Sequence, residues 1–202
     1  NGKLAVVTGA NRGIGRSITE TFAENRCDIF ACMREVTLET KKWLKNLENK
    51  FNIVITPIEL DLSDEDSIKN SIKQIFSISK RIDILVNNAG IASGGLFQMT
   101  PLSELRKVFE INLFSQILFT QGIAKIMIRN KCGSIINLSS SAAFIADPGT
   151  LSYGSSKSAL IRATESMAME LGTLNIRVNA IAPGVTKTDM FDQMSKDAID
   201  KL

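Results

Sequence analysis

Histidine is absent from this chain of 202 residues. That absence excludes every Ser-His-Asp or Cys-His nucleophilic mechanism and every histidine-ligated metal site. If the protein is an enzyme, something other than imidazole moves its protons. Tyrosine is nearly absent too: Tyr153, in the stretch "SYGSSK", is the only one. The three cysteines, Cys27, Cys32 and Cys132, are an odd number without metal-site spacing. Cys27 and Cys32 fall at the two ends of one predicted strand, too far apart to bridge, so reduced thiols and a cytoplasmic location are expected. Lys plus Arg exceeds Asp plus Glu by only 24 − 21 = 3, and no basic run stands out, so nucleic acid is not an expected partner. No segment is expected to approach the length of uncharged apolar sequence needed to span a bilayer, and no charged-then-apolar leader is read before the first strand.

What is present is alternation. Short β-rich runs recur between turn residues: "KLAVVT", "CDIFAC", "NIVITPIEL", "DILVNN", "GSIINLSS" and "NIRVNAIAP". Segments with helical spacing lie between them. In "SDEDSIKNSIKQIF", Ile68, Ile72, Ile75 and Phe76 share one face, and Ser63 with Asp66 reads as a capping box. A long helix is predicted over residues 101–129, with Thr100 as N-cap and Pro101 at its first position. Strict strand–helix alternation implies a parallel sheet covered on both faces, a three-layer doubly wound α/β architecture. No linker, low-complexity stretch or short repeat interrupts it, so residues 1–202 read as one domain. The long helix and the segment 152–171 are apolar nearly all round, which suggests burial against other subunits and a homodimer or homotetramer.

The first strand runs into "TGANRGIG" at the start of a helix. Gly9 permits the turn, Gly13 lets backbone approach a pyrophosphate, and Gly15 lets the helix pack on the strand. The helix N-terminus supplies N–H groups and a positive dipole end. Asn11, Arg12 and Ile14 complete that turn as candidate cofactor contacts. The spacing is G-x-x-x-G-x-G, not the commoner G-x-G-x-x-G. At the second strand's tip stand Met33, Arg34 and Glu35, while Asp28 opens the strand at the wrong end. Arg34, with Arg12 nearby, suits a 2′-phosphate and so NADP(H) over NAD(H); Glu35 is the residue that would instead serve NAD.

Tyr153 and Lys157 are spaced i and i+4, so on a helix they face the same way. A free phenol has a pKa near 10. Lowering it by about 3 units needs roughly 4 kcal/mol, which is what one ammonium about 4 Å away supplies at an effective dielectric near 20. A tunable phenol replaces the missing histidine.

These stretches, with "LDLSD" at 60–64, "NNAG" at 87–90, "EIN" at 110–112, "INLSSSA" at 136–142, "YGSSK" at 153–157 and "RVNAIAPG" at 177–184, make the chain resemble the short-chain dehydrogenase/reductase family over essentially its whole length. The "APGVTKTDM" segment is most similar to the 3-oxoacyl-(acyl-carrier-protein) reductases of fatty acid biosynthesis. The resemblance implies a Rossmann-type fold with Asn112, Ser140, Tyr153 and Lys157 as the catalytic set. Among Ser139, Ser140 and Ser141 the residues alone do not choose; the family pattern points to Ser140. In it, Tyr153 donates a proton to a substrate carbonyl, Lys157 holds the nicotinamide ribose and lowers the phenol's pKa, and Asn112 holds a water. Asp61 and Leu62 are implied at the adenine, and Asn87, Ala89 and Gly90 in the cofactor cleft. Pro183, Gly184, Thr186 and Thr188 are implied at the nicotinamide. The bland alternative for Asn87 and Asn88 is bonding to neighbouring strands. Residues 92–102 and the loop after Pro183, with Leu96, Phe97, Met190, Phe191 and Met194, should line an apolar pocket. Lys125, Arg129 and Lys131 offer a basic surface for a carrier protein. The expected reaction is NADPH-dependent reduction of a 3-oxoacyl thioester, free or on an acyl carrier protein. The alternatives are dehydrogenation of another secondary alcohol, sugar or steroid-like substrate, or a non-catalytic dinucleotide-binding protein. Family members carry a further helix and a seventh strand beyond the position of Leu202, so the C-terminal end is expected to be missing here.

Overall fold

The hydrophobic runs become strands because both of their faces are buried. The computed structural model describes residues 2–186. Its order is β1 (Leu4–Thr8), α1 (Gly13–Glu24), β2 (Asp28–Met33), α2 (Leu38–Phe51), β3 (Ile55–Glu59), α3 (Glu65–Ile78) and β4 (Ile84–Asn87). There follow α4 (Leu102–Phe109), α5 (Ser115–Asn130), β5 (Gly133–Leu138), α6 (Leu151–Gly172) and β6 (Ile176–Ile181). The six strands are all parallel in the order β3-β2-β1-β4-β5-β6. This is the Rossmann arrangement, and β6 is the last strand among the described residues. The chain direction across the sheet reverses between β1 and β4, which opens a crevice at their carboxyl ends.

Alternate strand residues feed two apolar layers. Val6, Phe30, Ile58, Leu85 and Ile135 pack with Ile68 and Ile75 of α3 and Phe119 and Ile123 of α5. Val7, Ile29, Ala31 and Val86 pack on the opposite face with Ala23 of α1 and Leu44 of α2. The core also holds a polar chain. The Asn87 side-chain amide donates to Thr120 Oγ1 at 2.7 Å and to Asn137 Oδ1 at 2.8 Å. Asn137 in turn donates to Thr164 Oγ1, which donates to the Leu160 carbonyl. Four buried polar side chains thereby tie β4, β5, α5 and α6 at a single level.

The expected element starts shift by a residue or more. Asp64, not Ser63, caps α3 by accepting from the Asp66 amide, because the Ser63 hydroxyl turns back to Asp61. Thr100 does not cap α4: its hydroxyl donates to the Gly95 and Leu96 carbonyls, and Leu102 is the first helical residue. The long helix is not uniform, since a π-turn over Glu110–Phe114 joins α4 to α5. Leu102–Asn130 is in fact long and apolar enough to cross a bilayer, against the expectation above. More than half of its most apolar stretch is buried inside the fold, which accounts for its composition. Outward-facing apolar groups remain at Phe114, Leu102 and Met169.

The buried amide chain yields a stability prediction. Asn137→Leu removes both its donor and its acceptor from Thr164 and Asn87 in a site without water access. A loss of about 2–3 kcal/mol is expected, a fall in Tm of roughly 4–12 °C, readable by thermal denaturation.

Candidate active site

The glycine turn leaves the amino end of α1 open. Gly9 and Gly13 have φ of +65° and +52°, a region that side-chain-bearing residues avoid. A Cβ on Gly15 would stand 2.0 Å from the Gly9 carbonyl oxygen, so only glycine lets the helix seat on the turn. Thr37 caps α2 and Asp64 caps α3, and both have acids in their first turns. Helix α1 has no side-chain cap and no acid there; Arg12 occupies its N-cap position and Asn11 lies exposed beside it. That open end fits a pyrophosphate.

At the tip of β2, Arg34 and Glu35 are both exposed and Met33 is buried. Arg34 lies close enough to Asp61 that its charge helps hold that carboxyl below its usual range, the larger causes being hydrogen bonds from the Ser63 hydroxyl and amide. The Asp61 carboxylate is thus committed to its own turn, while the Leu62 side chain is buried. Asp28 caps the Val54 amide at the amino end of the sheet, as its position implied.

Asn87, the last residue of β4, and Asn88 after it divide their work differently from expectation. Asn88 clamps β1, donating from its side chain to the Thr8 and Gly9 carbonyls and from its backbone to Thr8 Oγ1. The Asn87 side chain is turned away from the cleft into the buried chain already described, because Thr120 and Asn137 satisfy its amide there. Ala89 donates to Thr8 Oγ1, and Gly90 backs directly on the catalytic candidates. A Cβ on Gly90 would meet Asn112 Oδ1 at 3.0 Å and Lys157 Nζ at 3.5 Å.

Asn112, fully buried in the π-turn, bonds the Ile91 backbone both ways, each at 2.9 Å, and donates to Ser156 Oγ. Its amide is therefore a clamp on the segment after β4. Among the three serines the structure separates the roles. Ser139 is buried and donates to the Lys157 carbonyl, the Ser141 amide donates to the Pro183 carbonyl, and Ser140 accepts from the Ala142 amide and lies near enough to the Tyr153 phenol to favour its ionised form. Pro183 and Gly184 thus border the serine turn, and Thr186 donates to the Gly184 carbonyl. Thr188, Met190, Phe191 and Met194 lie outside the described residues.

Lys157 is 3% exposed and donates from Nζ to the Leu138 carbonyl at 2.7 Å. Burial lowers its pKa to about 8. Nζ stands 5.8 Å from the centroid of the Tyr153 ring. The phenol's pKa is not lowered, as the spacing argument expected, but raised: burial outweighs the hydrogen bond from Ser140. The ammonium is aimed at Leu138 and is itself disfavoured by burial, so it does not reach the strength assumed for an exposed pair. Lys125, Arg129 and Lys131 belong to the carboxyl end of α5, which leads to the amino end of β5. They sit at the edge of the sheet opposite the crevice and are not its mouth. Thr8, Gln116 and Ser156 were not singled out by the sequence; only their places beside "TG", "EIN" and "YGSSK" hint at them.

A crevice at a parallel sheet's switch point, with a phenol and an amine beside it, is that of a dinucleotide-dependent oxidoreductase. The chain belongs to the short chain dehydrogenase family, whose match spans residues 3–199. It is 36% identical over 196 residues to the 3-oxoacyl-(acyl-carrier-protein) reductase FabG of Aquifex aeolicus, covering 97% of this chain and 79% of that protein. Identity to FabG of Salmonella typhimurium is 32%, covering 97% and 78%. Among solved structures, a short-chain dehydrogenase from Streptomyces avermitilis superimposes with a TM-score of 0.84 at 29% identity, covering 95% of this chain and 68% of that one. ElxO with NADP bound gives 0.86 at 30% identity, covering 100% and 83%.

Lys157 sets a pH dependence of stability. Its folded pKa, about 8, lies below the ordinary 10.5, so between those values the unfolded chain binds more protons and stability rises with pH. The penalty is full below the folded pKa and is relieved as pH climbs. Tyr153, shifted upward, acts in the opposite sense only above its ordinary value of 10. Denaturant unfolding at about pH 7 and about pH 10 is expected to show the wild type gaining about 2 kcal/mol relative to Lys157→Met.

Proposed function

We propose that this oxidoreductase reduces a ketone to a secondary alcohol with NADPH, with Tyr153 as the proton donor and a 3-oxoacyl thioester as the substrate. The observation that carries the reading is the grouping of Ser140, Tyr153 and Lys157, with the phenol held protonated by burial. The phenol carries the proton that reduction of a carbonyl consumes. Ser140 is placed to hydrogen-bond the carbonyl oxygen next to the phenol and to steady charge as it develops there. Lys157 uses one of its three donor positions on Leu138, leaving the others for a ribose hydroxyl and for proton resupply. A bound nicotinamide supplies the hydride; the uncapped end of α1 and the exposed Arg12 and Arg34 favour the phosphorylated dinucleotide.

Two things support an acyl substrate. Curated relatives at 32–36% identity are 3-oxoacyl-(acyl-carrier-protein) reductases. A cleft of about 670 Å³ between the segments after β4 and β5 carries Leu96, Phe97, Phe144, Ile145 and Leu151, with Asp147 the only charged residue lining it among the described residues. Apolar walls of that size suit an acyl chain. A homo-oligomer fits the outward apolar groups, with the groove of Leu105, Phe109 and Phe114 as its first candidate contact. Three free thiols suit the cytoplasm.

The test is NADPH oxidation with a 3-oxoacyl thioester. Tyr153→Phe is expected to lower kcat about a thousandfold while NADPH affinity stays within about twofold. Equal turnover in the variant would remove Tyr153 from the mechanism. Separately, Arg34→Ala is expected to weaken NADPH binding roughly tenfold or more and leave NADH nearly unchanged, by titration of dinucleotide fluorescence.

A further inference from the structure

The β4 ladder ends at Asn87, and residues 88–91 follow it outside any strand. What replaces the missing ladder is a polar stripe on the helix above it. Asn112, Gln116 and Thr120 follow one another at four-residue intervals from the π-turn into α5. Thr120 accepts from the Asn87 side chain, Gln116 Nε2 donates to the Ala89 carbonyl at 2.7 Å, and Asn112 takes both backbone groups of Ile91. The helix thereby tethers residues 87, 89 and 91.

Gln116 is the middle rung. It is 2% exposed, and its Oε1, like Asn87 Oδ1 beside Thr120, is buried with no hydrogen-bond partner among the described residues. A position filled for packing alone would be better served by an apolar side chain, which strands no acceptor. The single bond that Gln116 makes falls on Ala89, the residue before Gly90, and Gly90 packs against both Asn112 Oδ1 and Lys157 Nζ. We propose that Gln116 is a positioning residue that fixes Ala89 and Gly90 against Lys157 and so holds one wall of the dinucleotide cleft. The proposal rests on the functional reading above for what that wall meets, but not for the tether itself.

The experiment compares wild type, Gln116→Met and the exposed control Gln121→Met, each as the full chain. Three readouts are taken: hydrogen exchange of peptides spanning residues 87–92 without dinucleotide, NADPH affinity by fluorescence, and steady-state kinetics. Gln116→Met is expected to melt within a few degrees of wild type. Its exchange at residues 88–91 should accelerate about tenfold or more. Its NADPH affinity and kcat/KM for NADPH should fall roughly ten- to hundredfold, with KM for the carbonyl substrate little changed. The control should match wild type throughout. Unchanged exchange overturns the tether, and faster exchange with unchanged NADPH affinity overturns the positioning role. If the wild type turns over no carbonyl substrate, the functional reading fails separately, and exchange with NADPH affinity still decides the role of Gln116. Should the methionine variant not fold, Gln116→Leu is read in the same way.

Discussion

An amine buried at the carboxyl edge of a parallel sheet is the constraint around which the rest is arranged. Lys157 is held almost out of solvent, its Nζ on the last carbonyl of β5, and desolvation brings its pKa to about 8. Burying such a group is unfavourable unless its position is fixed and its donors are met. The fold meets that condition from three sides. Ser139 holds the Lys157 carbonyl, Ser156 beside it joins Asn112, and Gly90 leaves room that any side chain would fill.

From that point the polar core extends inward. Asn87, Asn137, Thr120 and Thr164 bind strands β4 and β5 to the two helices that carry the site, so packing defects there would be felt as misplacement of Lys157 and Tyr153. The hydrophobic layers supply bulk stability, and the amides supply registration. The phenol is the outcome of this arrangement. It lies beside Ser140, is buried enough to keep its proton, and stands one helical turn from an amine that titrates near neutrality.

Much of this was legible in the chain. All six strands coincide with apolar runs bounded by turn residues, because strands buried on both faces leave that imprint. The glycine turn was readable because Gly9, Gly13 and Gly15 are demanded by backbone geometry, which is local. Tyr153 and Lys157 were readable because helical spacing is local too. What the sequence hid depends on tertiary surroundings. Nothing in "NNAG" says that Asn87 turns inward while Asn88 clamps β1; the positions of Thr120 and Asn137 decide it. The direction of the phenol's shift was misjudged because charge spacing is visible in a sequence and desolvation is not. Lys125, Arg129 and Lys131 were misplaced for the same reason, since only the topology assigns them to the far edge. The π-turn at Asn112 left no mark in a pattern of four-residue spacing.

The chain has one tyrosine, so its ultraviolet phenolate absorbance reports Tyr153 alone. Titrating that absorbance with and without NADP⁺ tests the central claim directly, that surroundings rather than spacing set the proton affinity of this group. The account predicts that the phenol of the free protein titrates above its ordinary value of 10. It also predicts that the positively charged nicotinamide ring of bound oxidised dinucleotide draws the pKa down. A phenol that already titrates below 10 in the free protein, or one that NADP⁺ leaves unmoved, would contradict it.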